Sequence, residues 1–182
     1  MLPLENSGFG GIQGNNYIPG WSWWAEDNYT PDDDEYNPAA SYDTPFFNQT
    51  YDPARLINGP TLQIEGVAFV KFKTYIYQTA NAPPNVTVRF QASAQTYSTF
   101  ADDGRIKLII GIDPTGGPGC SQAWWSEELL IDQSANIIQL TTPTVRVGNA
   151  GKVTVCLYAE TLYPAHSNAV YFDNAILIAN PE

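Results

Sequence analysis

The stretch NVTVRFQASAQTYS, residues 85–98, decides the fold class because apolar and polar side chains alternate along it. One side carries the apolar residues Val86, Val88, Phe90, Ala92 and Ala94. The other side carries Thr87, Arg89, Gln91, Ser93, Gln95 and Tyr97. Alternation with a period of two predicts an antiparallel strand that has one side in a core and the other towards solvent.

Further strands are predicted in stretches that are rich in Val, Ile, Tyr or Phe, namely 67–79, 105–112, 136–147, 152–160 and 169–178. Turns containing Gly or Pro separate them, and no stretch keeps a helical period, although residues 125–132 are predicted to form one turn of helix. Short strands joined by such turns predict an all-β fold, either a sandwich or a barrel. The length of 182 residues fits one domain over residues 1–182.

Acidic charge is concentrated at the start of the chain. The formal net charge is −11, and nine of the nineteen Asp and Glu residues precede Arg55, the first basic residue. Binding to nucleic acid or to an anionic membrane surface is disfavoured because both require a basic surface. Residues 26–54 show little periodicity and are predicted to form a long acidic loop with one short strand near 38–43.

Both ends of the chain resemble those of a known domain family. The motifs are ENSGF at 5–9, PGW at 19–21 and AVYFDNAIL at 169–177. In this order they resemble the opening and closing strands of galactose-binding-like jelly-roll domains. The resemblance implies a jelly-roll β-sandwich of two antiparallel sheets whose first and last strands are adjacent. It also implies a non-catalytic carbohydrate-binding module or an adhesion module of bacterial secreted and cell-surface proteins.

The same resemblance leaves a structural calcium ion open. In the family a Glu that ends the opening motif joins an Asp of the last strand around the ion. Asp173 matches that Asp, but Gly10 stands where the Glu is expected. Glu5 lies nearby in sequence and is the candidate replacement ligand, with backbone carbonyls completing the six to eight oxygens that calcium requires.

The sequence offers poor material for catalysis, so we expect no enzyme activity. His166 is the single histidine, and no Gly-x-Ser-x-Gly motif accompanies it. Glycoside hydrolysis requires two opposed carboxylates, but the acidic clusters, including the pair Glu127 and Glu128, fall in predicted loops rather than alternating along one strand. A glycoside hydrolase is therefore the less favoured alternative.

Sugar binding requires aromatic rings next to hydrogen-bonding groups. Aromatic residues form 13% of the chain. The polar side of 85–98 offers four candidates, which are Arg89, Gln91, Gln95 and Tyr97, and Tyr75 and Tyr77 alternate in the same way on 67–79. If these two strands are neighbours, the side chains form one platform for a glycan. An ordinary solvated sheet face is the alternative.

The tryptophans form two clusters, one at residues 21–24 and one at residues 124–125. Adjacent residues on a strand point to opposite sides, so one ring of each adjacent pair is expected in the core. We predict that Trp24 and Trp124 are the exposed rings and contact ligand.

These features predict a secreted, extracellular carbohydrate-binding module for a neutral glycan, without an organic cofactor. Other domains of a larger chain are further expected partners, and no membrane insertion is expected because no apolar run is long enough. The alternative is a structural or adhesive jelly-roll module. Cys120 and Cys156 permit either one disulfide or two free thiols.

Overall fold

The computed structural model describes residues 1–14, 16–31, 34, 36–99, 106–132, 134 and 136–181. Twelve strands are found in this part of the chain: β1 Ser22–Ala25, β2 Phe46–Thr50, β3 Thr61–Glu65, β4 Lys73–Asn81, β5 Thr87–Ser98, β6 Ile106–Asp113, β7 Trp124–Trp125, β8 Leu129–Ile131, β9 Ile138–Thr141, β10 Val145–Arg146, β11 Lys152–Thr161 and β12 Asn168–Ala179. The all-β prediction is confirmed.

The strands form two antiparallel sheets of six strands each. The front sheet has the order β1-β4-β11-β6-β7, and β8 also pairs with β6. The back sheet has the order β10-β5-β12-β3-β2, and β9 also pairs with β5. The two-sheet antiparallel sandwich that the family resemblance implies is therefore confirmed.

The core lies between the two sheets because alternate residues of each long strand point inwards. Phe90 of β5 and Phe172 of β12 are fully buried from the back sheet, and Ile76, Ile110 and Leu157 are fully buried from the front sheet. Burying such side chains removes apolar surface from water, which is the main favourable contribution to folding. The side of 85–98 predicted to face the core does so.

The resemblance implies that the first and last strands are adjacent, but β1 and β12 belong to different sheets. The segment before β1 is the part that lies against β12. Leu2 N donates a hydrogen bond to Leu177 O of β12 at 2.8 Å. Phe9 is fully buried and contacts the Trp21 ring with the centroids 5.1 Å apart. The opening segment therefore closes the sandwich, while β1 joins the front sheet at its edge.

Three local predictions were wrong. Residues 125–132 form no helical turn, because the segment adds the short strands β7 and β8 to β6. In the acidic segment the strand is β2 at 46–50 and not near 38–43. The predicted strand 136–147 is split into β9 and β10 around Pro143, which has no N–H to donate to a ladder. Partners distant in sequence decide these edges, so local periodicity does not reveal them.

Candidate functional site

Five aromatic side chains form a row on the outer side of the front sheet, and we call it the aromatic face: Trp24, Tyr75, Tyr77, Trp125 and Tyr158. In the pairing register Tyr75 of β4 lies opposite Trp24 on one neighbouring strand and opposite Tyr158 on the other. Side chains on directly opposed residues project to the same side of a sheet. The row crosses from edge strand β1 to edge strand β7, four strand spacings or ~19 Å.

The rings contact each other but stay partly open to solvent. Trp24 stacks on Tyr75 with the centroids 5.1 Å apart and the planes at 22°. Tyr75 and Tyr77 are 5.9 Å apart, and Trp125 meets Tyr158 edge-on at 6.1 Å. Trp24 keeps 40% of its surface exposed. These contacts hold the rings in place before any ligand binds.

The absence of a side chain at Gly111 leaves space for the Trp125 ring. Gly111 lies directly opposite Trp125 in the ladder between β6 and β7. A Cβ atom at Gly111 would be 2.7 Å from Trp125 Cε3, which is shorter than any van der Waals contact. The absence of a side chain at this position therefore lets the indole lie across β6.

A disulfide fastens a loop beside the rings. Cys156 of β11 lies opposite both Tyr77 and Gly111, so its side chain belongs to the outer side of the front sheet. It is bonded to Cys120, with the two Cα atoms 6.1 Å apart. The bridge brings residues 114–123 onto this side, where a Cβ at Gly119 would be 3.6 Å from Tyr75 Oη. The question left open by the sequence is answered in favour of a disulfide.

Glu160 lies beside the aromatic face, two residues along β11 from Tyr158. Its Oε2 accepts a hydrogen bond from Tyr158 Oη, and its Oε1 accepts one from Tyr42 Oη, both at 2.6 Å. Burial raises the pKa of both tyrosines, and the hydrogen bond to the Glu160 carboxylate raises it further. The two phenols therefore remain protonated and hold the carboxylate in position.

Lysines beside Glu160 connect Glu26 and Pro38 to the front sheet. Lys73 forms an ion pair with Glu26 at 2.8 Å. Lys71 is 4% exposed, donates to Pro38 O at 2.7 Å and lies 4.2 Å from the centre of the Tyr42 ring. Burial lowers the pKa of Lys71, although Glu160 and Glu26 act in the opposite direction. Glu26, Pro38 and Tyr42 thus lie along one side of the aromatic face.

A cleft of about 530 Å³ continues from the Trp125 end of the aromatic face, and we call it the edge cleft. Trp125 belongs to both, and the opposite wall of the cleft comes from Gln139 to Pro143 of the back sheet. The Glu127 side chain also lines the cleft. Aromatic and hydrogen-bonding groups therefore continue around the edge of the sandwich.

The structure divides the predicted ligand residues between two surfaces. Trp24, Tyr75 and Tyr77 lie on the aromatic face. The other predicted set lies on the outer side of the back sheet, along β5, and consists of Arg89, Gln91, Gln95 and Tyr97. The platform that required these strands to be neighbours does not exist, because β4 and β5 belong to different sheets. Alternation predicts which side of a strand a residue faces, but it does not predict which sheet the strand joins.

The prediction that Trp24 and Trp124 are exposed is confirmed, with exposures of 40% and 60%. Trp125 was expected in the core, and this was wrong. Trp124 faces the same side of the front sheet as Ile112, but it lies on the two-residue edge strand β7 and remains exposed. Trp125, Tyr158 and Glu160 were not predicted as site residues. The alternation of Cys156, Tyr158 and Glu160 along 152–160 was the signal that could have found the last two.

The two candidate calcium ligands have different surroundings. Asp173 is fully buried and accepts hydrogen bonds from Asn58 N, Thr61 Oγ1 and Asn174 N at 2.6 to 3.0 Å. Burial raises the pKa of Asp173, while these hydrogen bonds act in the opposite direction. Glu5 is held next to β4, where its backbone N donates to Gln78 Oε1 at 2.8 Å.

These contacts supply donors to Asp173 rather than further oxygen ligands. Among the residues that the structure describes, no three His, Cys, Asp or Glu side chains form a group that could bind a metal ion. The calcium ion remains a prediction. In the same part of the chain no helix is long and apolar enough to cross a membrane.

No family model and no curated protein matches the sequence. The structure is similar to TmCBM61 solved in complex with β-1,4-galactotriose, with a TM-score of 0.63 and 11% identity, covering 99% of each chain. A cyclase from Fischerella sp. TAU matches with a TM-score of 0.54 and 13% identity over 99% of this chain and 97% of that chain. Arabinose-bound MgGH51 α-L-arabinofuranosidase matches with a TM-score of 0.56 and 10% identity over 98% of this chain but 26% of that chain. The chain therefore has the jelly-roll β-sandwich fold of carbohydrate-binding modules.

Proposed function

We propose that this protein is a non-catalytic carbohydrate-binding module that binds a neutral glycan on the aromatic face. The observation that carries the proposal is the row of five partly exposed rings across the front sheet, with Glu160 and Lys73 along one side and the edge cleft at the Trp125 end. The similar fold of TmCBM61, which was solved with β-1,4-galactotriose, supports the same ligand class.

The chemistry of the face fits a sugar chain. Pyranose rings present apolar C–H faces, and aromatic side chains offer a large, rigid contact area for them. Hydroxyl groups both donate and accept hydrogen bonds, so they can pair with the carboxylates of Glu26 and Glu160 and with the Lys73 ammonium. Because the rings are already packed against each other, little ordering is needed on binding, which favours affinity.

Charge favours a neutral glycan over an acidic one. The chain carries a net charge of −11, and the carboxylates of Glu26 and Glu160 lie beside the aromatic face. An acidic polysaccharide would be repelled by this field. A neutral chain meets no such barrier.

The carboxylates near the rings support a binding role rather than hydrolysis. Glu26 pairs with Lys73, Glu128 pairs with Lys107 at 2.6 Å, and Glu160 accepts from two phenols. A retaining or inverting glycosidase needs one carboxyl that holds a proton and one free carboxylate across the scissile bond. The paired carboxylates of the face do not have this arrangement.

The disulfide supports an extracellular location, because such bonds persist in oxidising compartments and are rare in the cytosol. We propose that the domain is secreted and that other domains of a larger chain are its partners. The similarity to about a quarter of an arabinofuranosidase is consistent with such an arrangement.

The test is binding to soluble β-1,4-galactan, xylan, mannan and β-glucan by affinity electrophoresis, followed by calorimetry with the matching oligosaccharides, beginning with β-1,4-galactotriose. We expect Trp24→Ala and Trp125→Ala to weaken binding by about 1–3 kcal/mol each, as buried aromatic anchors do. Trp124→Ala is the matched control, because its ring leaves the other side of the same two-residue strand.

Retardation by none of the polysaccharides would refute the proposal. An increase of mass with concentration in light scattering would then favour the structural or adhesive module. Equal weakening by Trp124→Ala and Trp125→Ala would move the site from the aromatic face to the edge of the sandwich.

A further inference from the structure

A second groove lies on the outer side of the back sheet, on the opposite surface of the sandwich from the aromatic face. It has a volume of about 310 Å³ and is lined mainly by Asp52, Arg55, Glu65, Tyr97 and Tyr171. We call it the Arg55 groove. Its floor comes from β5, β12 and β3, and its rim comes from the segment between β2 and β3. None of these elements contributes a ring to the aromatic face.

Arg55 lies in this groove as an unpaired cation. Its guanidinium carbon is 4.7 Å from the centre of the Tyr97 ring and 5.8 Å from that of Tyr171. Among the described residues no oxygen accepts a hydrogen bond from its side chain, and none forms an ion pair with it. The two rings therefore hold in place a planar group with five N–H donors.

Acceptors surround this donor group. Glu65 Oε2 accepts from Gln63 Nε2 at 2.8 Å, and Asp52 Oδ1 accepts from the backbone N of Ala54 at 3.0 Å. The second oxygen of each carboxylate has no hydrogen-bond donor among the described side chains and backbone. One cation and two carboxylates thus face the same small space.

A buried acceptor next to the groove is also unsatisfied. Gln95 is 9% exposed, lies opposite Tyr171 in the ladder and two residues from Tyr97 on the same side of β5. Its Oε1 atom has no hydrogen-bond partner among the described residues. A buried acceptor without a partner is unfavourable and calls for an explanation such as a ligand or a bound water.

We propose that the Arg55 groove is a second saccharide-binding site, independent of the aromatic face, which takes one or two rings of a neutral sugar. Adjacent hydroxyl groups accept from the Arg55 guanidinium and donate to Asp52 and Glu65 at the same time, and no net charge enters the groove. The ligand class rests on the proposed function; the existence of the site does not. The domain then binds sugar on both of its faces.

Charge and protonation support this ligand class. Two carboxylates beside one guanidinium leave the groove with a net negative charge, which disfavours a uronic acid. Burial raises the pKa of Tyr171 to about 12 even though Arg55 acts in the opposite direction. The Tyr171 hydroxyl therefore stays protonated and can donate to a sugar oxygen.

The test is a titration of ¹⁵N-labelled protein with β-1,4-galactotriose, xylotriose, cellotriose and mannotriose, followed by NMR. The backbone amides of Tyr97 and Tyr171 report on the Arg55 groove, and the indole N–H groups of Trp24 and Trp125 report on the aromatic face. We expect at least one sugar to shift both sets of signals, with separate dissociation constants.

Variants separate the two sites. Arg55→Ala is expected to weaken binding at the groove at least tenfold and to leave the aromatic face unchanged, and Trp24→Ala is expected to do the converse. Arg146→Ala is the matched control, because it removes an exposed arginine from the same sheet ten residues away along β5, opposite Thr87. Arg55→Lys keeps the charge but loses the planar fork, so it should also weaken groove binding.

Three results would overturn the proposal. The first is that no sugar shifts the Tyr97 and Tyr171 amides, and the second is that these shifts survive in Arg55→Ala. The third is that sodium galacturonate shifts them while the neutral sugars do not. If groove signals respond and the indole signals do not, the second site stands and the aromatic face is refuted.

Discussion

The outer sides of the two sheets are built from the same alternation but have different chemistry. On the front sheet the outward residues are rings, and the charged groups beside them are paired: Lys73 with Glu26, Lys107 with Glu128. On the back sheet the outward residues of β5 are mainly amides and hydroxyls, such as Ser93, which bonds to Gln139 of β9. Arg55 lies above them without a partner among the described residues.

The difference shows how a half-buried strand acquires a function. Inward residues of both sheets obey the same rule, because any apolar side chain of suitable size fills the core. The surroundings of an outward residue depend on which residues strand pairing places next to it. Tyr75 becomes part of a platform because Trp24 and Tyr158 lie opposite it, whereas Tyr97 lies opposite Ala169 and has a guanidinium above it.

Removal of the disulfide is expected to cause the largest loss of stability and to affect the front sheet more than the back sheet. The pair of substitutions Cys120→Ser and Cys156→Ser should lower the free energy of unfolding by about 4 kcal/mol, the loop-closure value for a separation of 36 residues. Urea denaturation measures it. Because the bridge belongs to the front sheet only, ring signals of the aromatic face should change while Tyr97 and Tyr171 keep theirs. Equal disturbance of both faces would contradict the assignment.

Alkaline pH should destabilise the protein, because tyrosines on both sheets have raised pKa values. The pKa values of Tyr42 and Tyr158 on the front side, and of Tyr171 on the back side, are raised above 10.0 in the folded state. Below the unfolded value neither state ionises and stability is unaffected. Above it the unfolded chain loses protons that the folded chain retains, so the free energy of unfolding falls as pH rises from 10.

Urea denaturation between about pH 9 and about pH 11.5 measures this fall. Glu160→Gln removes the carboxylate that helps to raise the pKa of Tyr42 and Tyr158, so it should make the fall smaller. A fall that is identical in Glu160→Gln and the parent protein would show that the front-face pair does not contribute.

Gly111→Ala should strain the front sheet alone. The added Cβ would be 2.7 Å from Trp125 Cε3, so we expect a loss of about 1–3 kcal/mol from overpacking and a displaced Trp125 ring. Weaker glycan binding should accompany it. Gly14→Ala is the control, because a Cβ there meets no atom within 4 Å. Stability equal to that of the parent protein would show that β7 moves freely away from β6.

The buried Lys71 and the half-buried Arg55 should respond differently to substitution, with the smaller loss of stability at Arg55. Lys71→Ala should cost about 1–3 kcal/mol, because it leaves Pro38 O without its donor. Arg55→Ala removes only an exposed contact with rings and should cost about 0.5–1 kcal/mol. Thermal unfolding of the two variants compares them. A larger loss for Arg55→Ala would mean that Arg55 has a structural role and is not held for a ligand.

Much of the fold could be predicted from local sequence patterns, whereas the candidate site depends on which strands pair with each other. The side of 85–98 that enters the core, the positions of β5, β6, β11 and β12 and the exposure of Trp24 and Trp124 were predicted correctly. The strand predicted at 67–79 instead begins at Lys73 and ends at Asn81. The sheet to which each strand belongs was not predicted. As a result, Tyr75 and Tyr97 were placed on one platform although they lie on opposite surfaces of the sandwich.

The errors share a physical cause. β7 and β8 are too short to show a period, and they exist because β6 offers them a ladder. Trp125 was assigned to the core because Trp124 was expected outside, but the missing side chain of Gly111 gives the Trp125 ring a place on the outer surface. Neither fact can be read from the residues next to Trp125.

The sequence by itself determined that this chain is acidic, all-β and rich in aromatic rings, because composition and period-two alternation act over short range. Only the tertiary structure decided which rings meet, that Cys120 reaches Cys156, and that Arg55 lies over Tyr97. Those contacts join residues distant in the chain, and strand register, not local preference, brings them together.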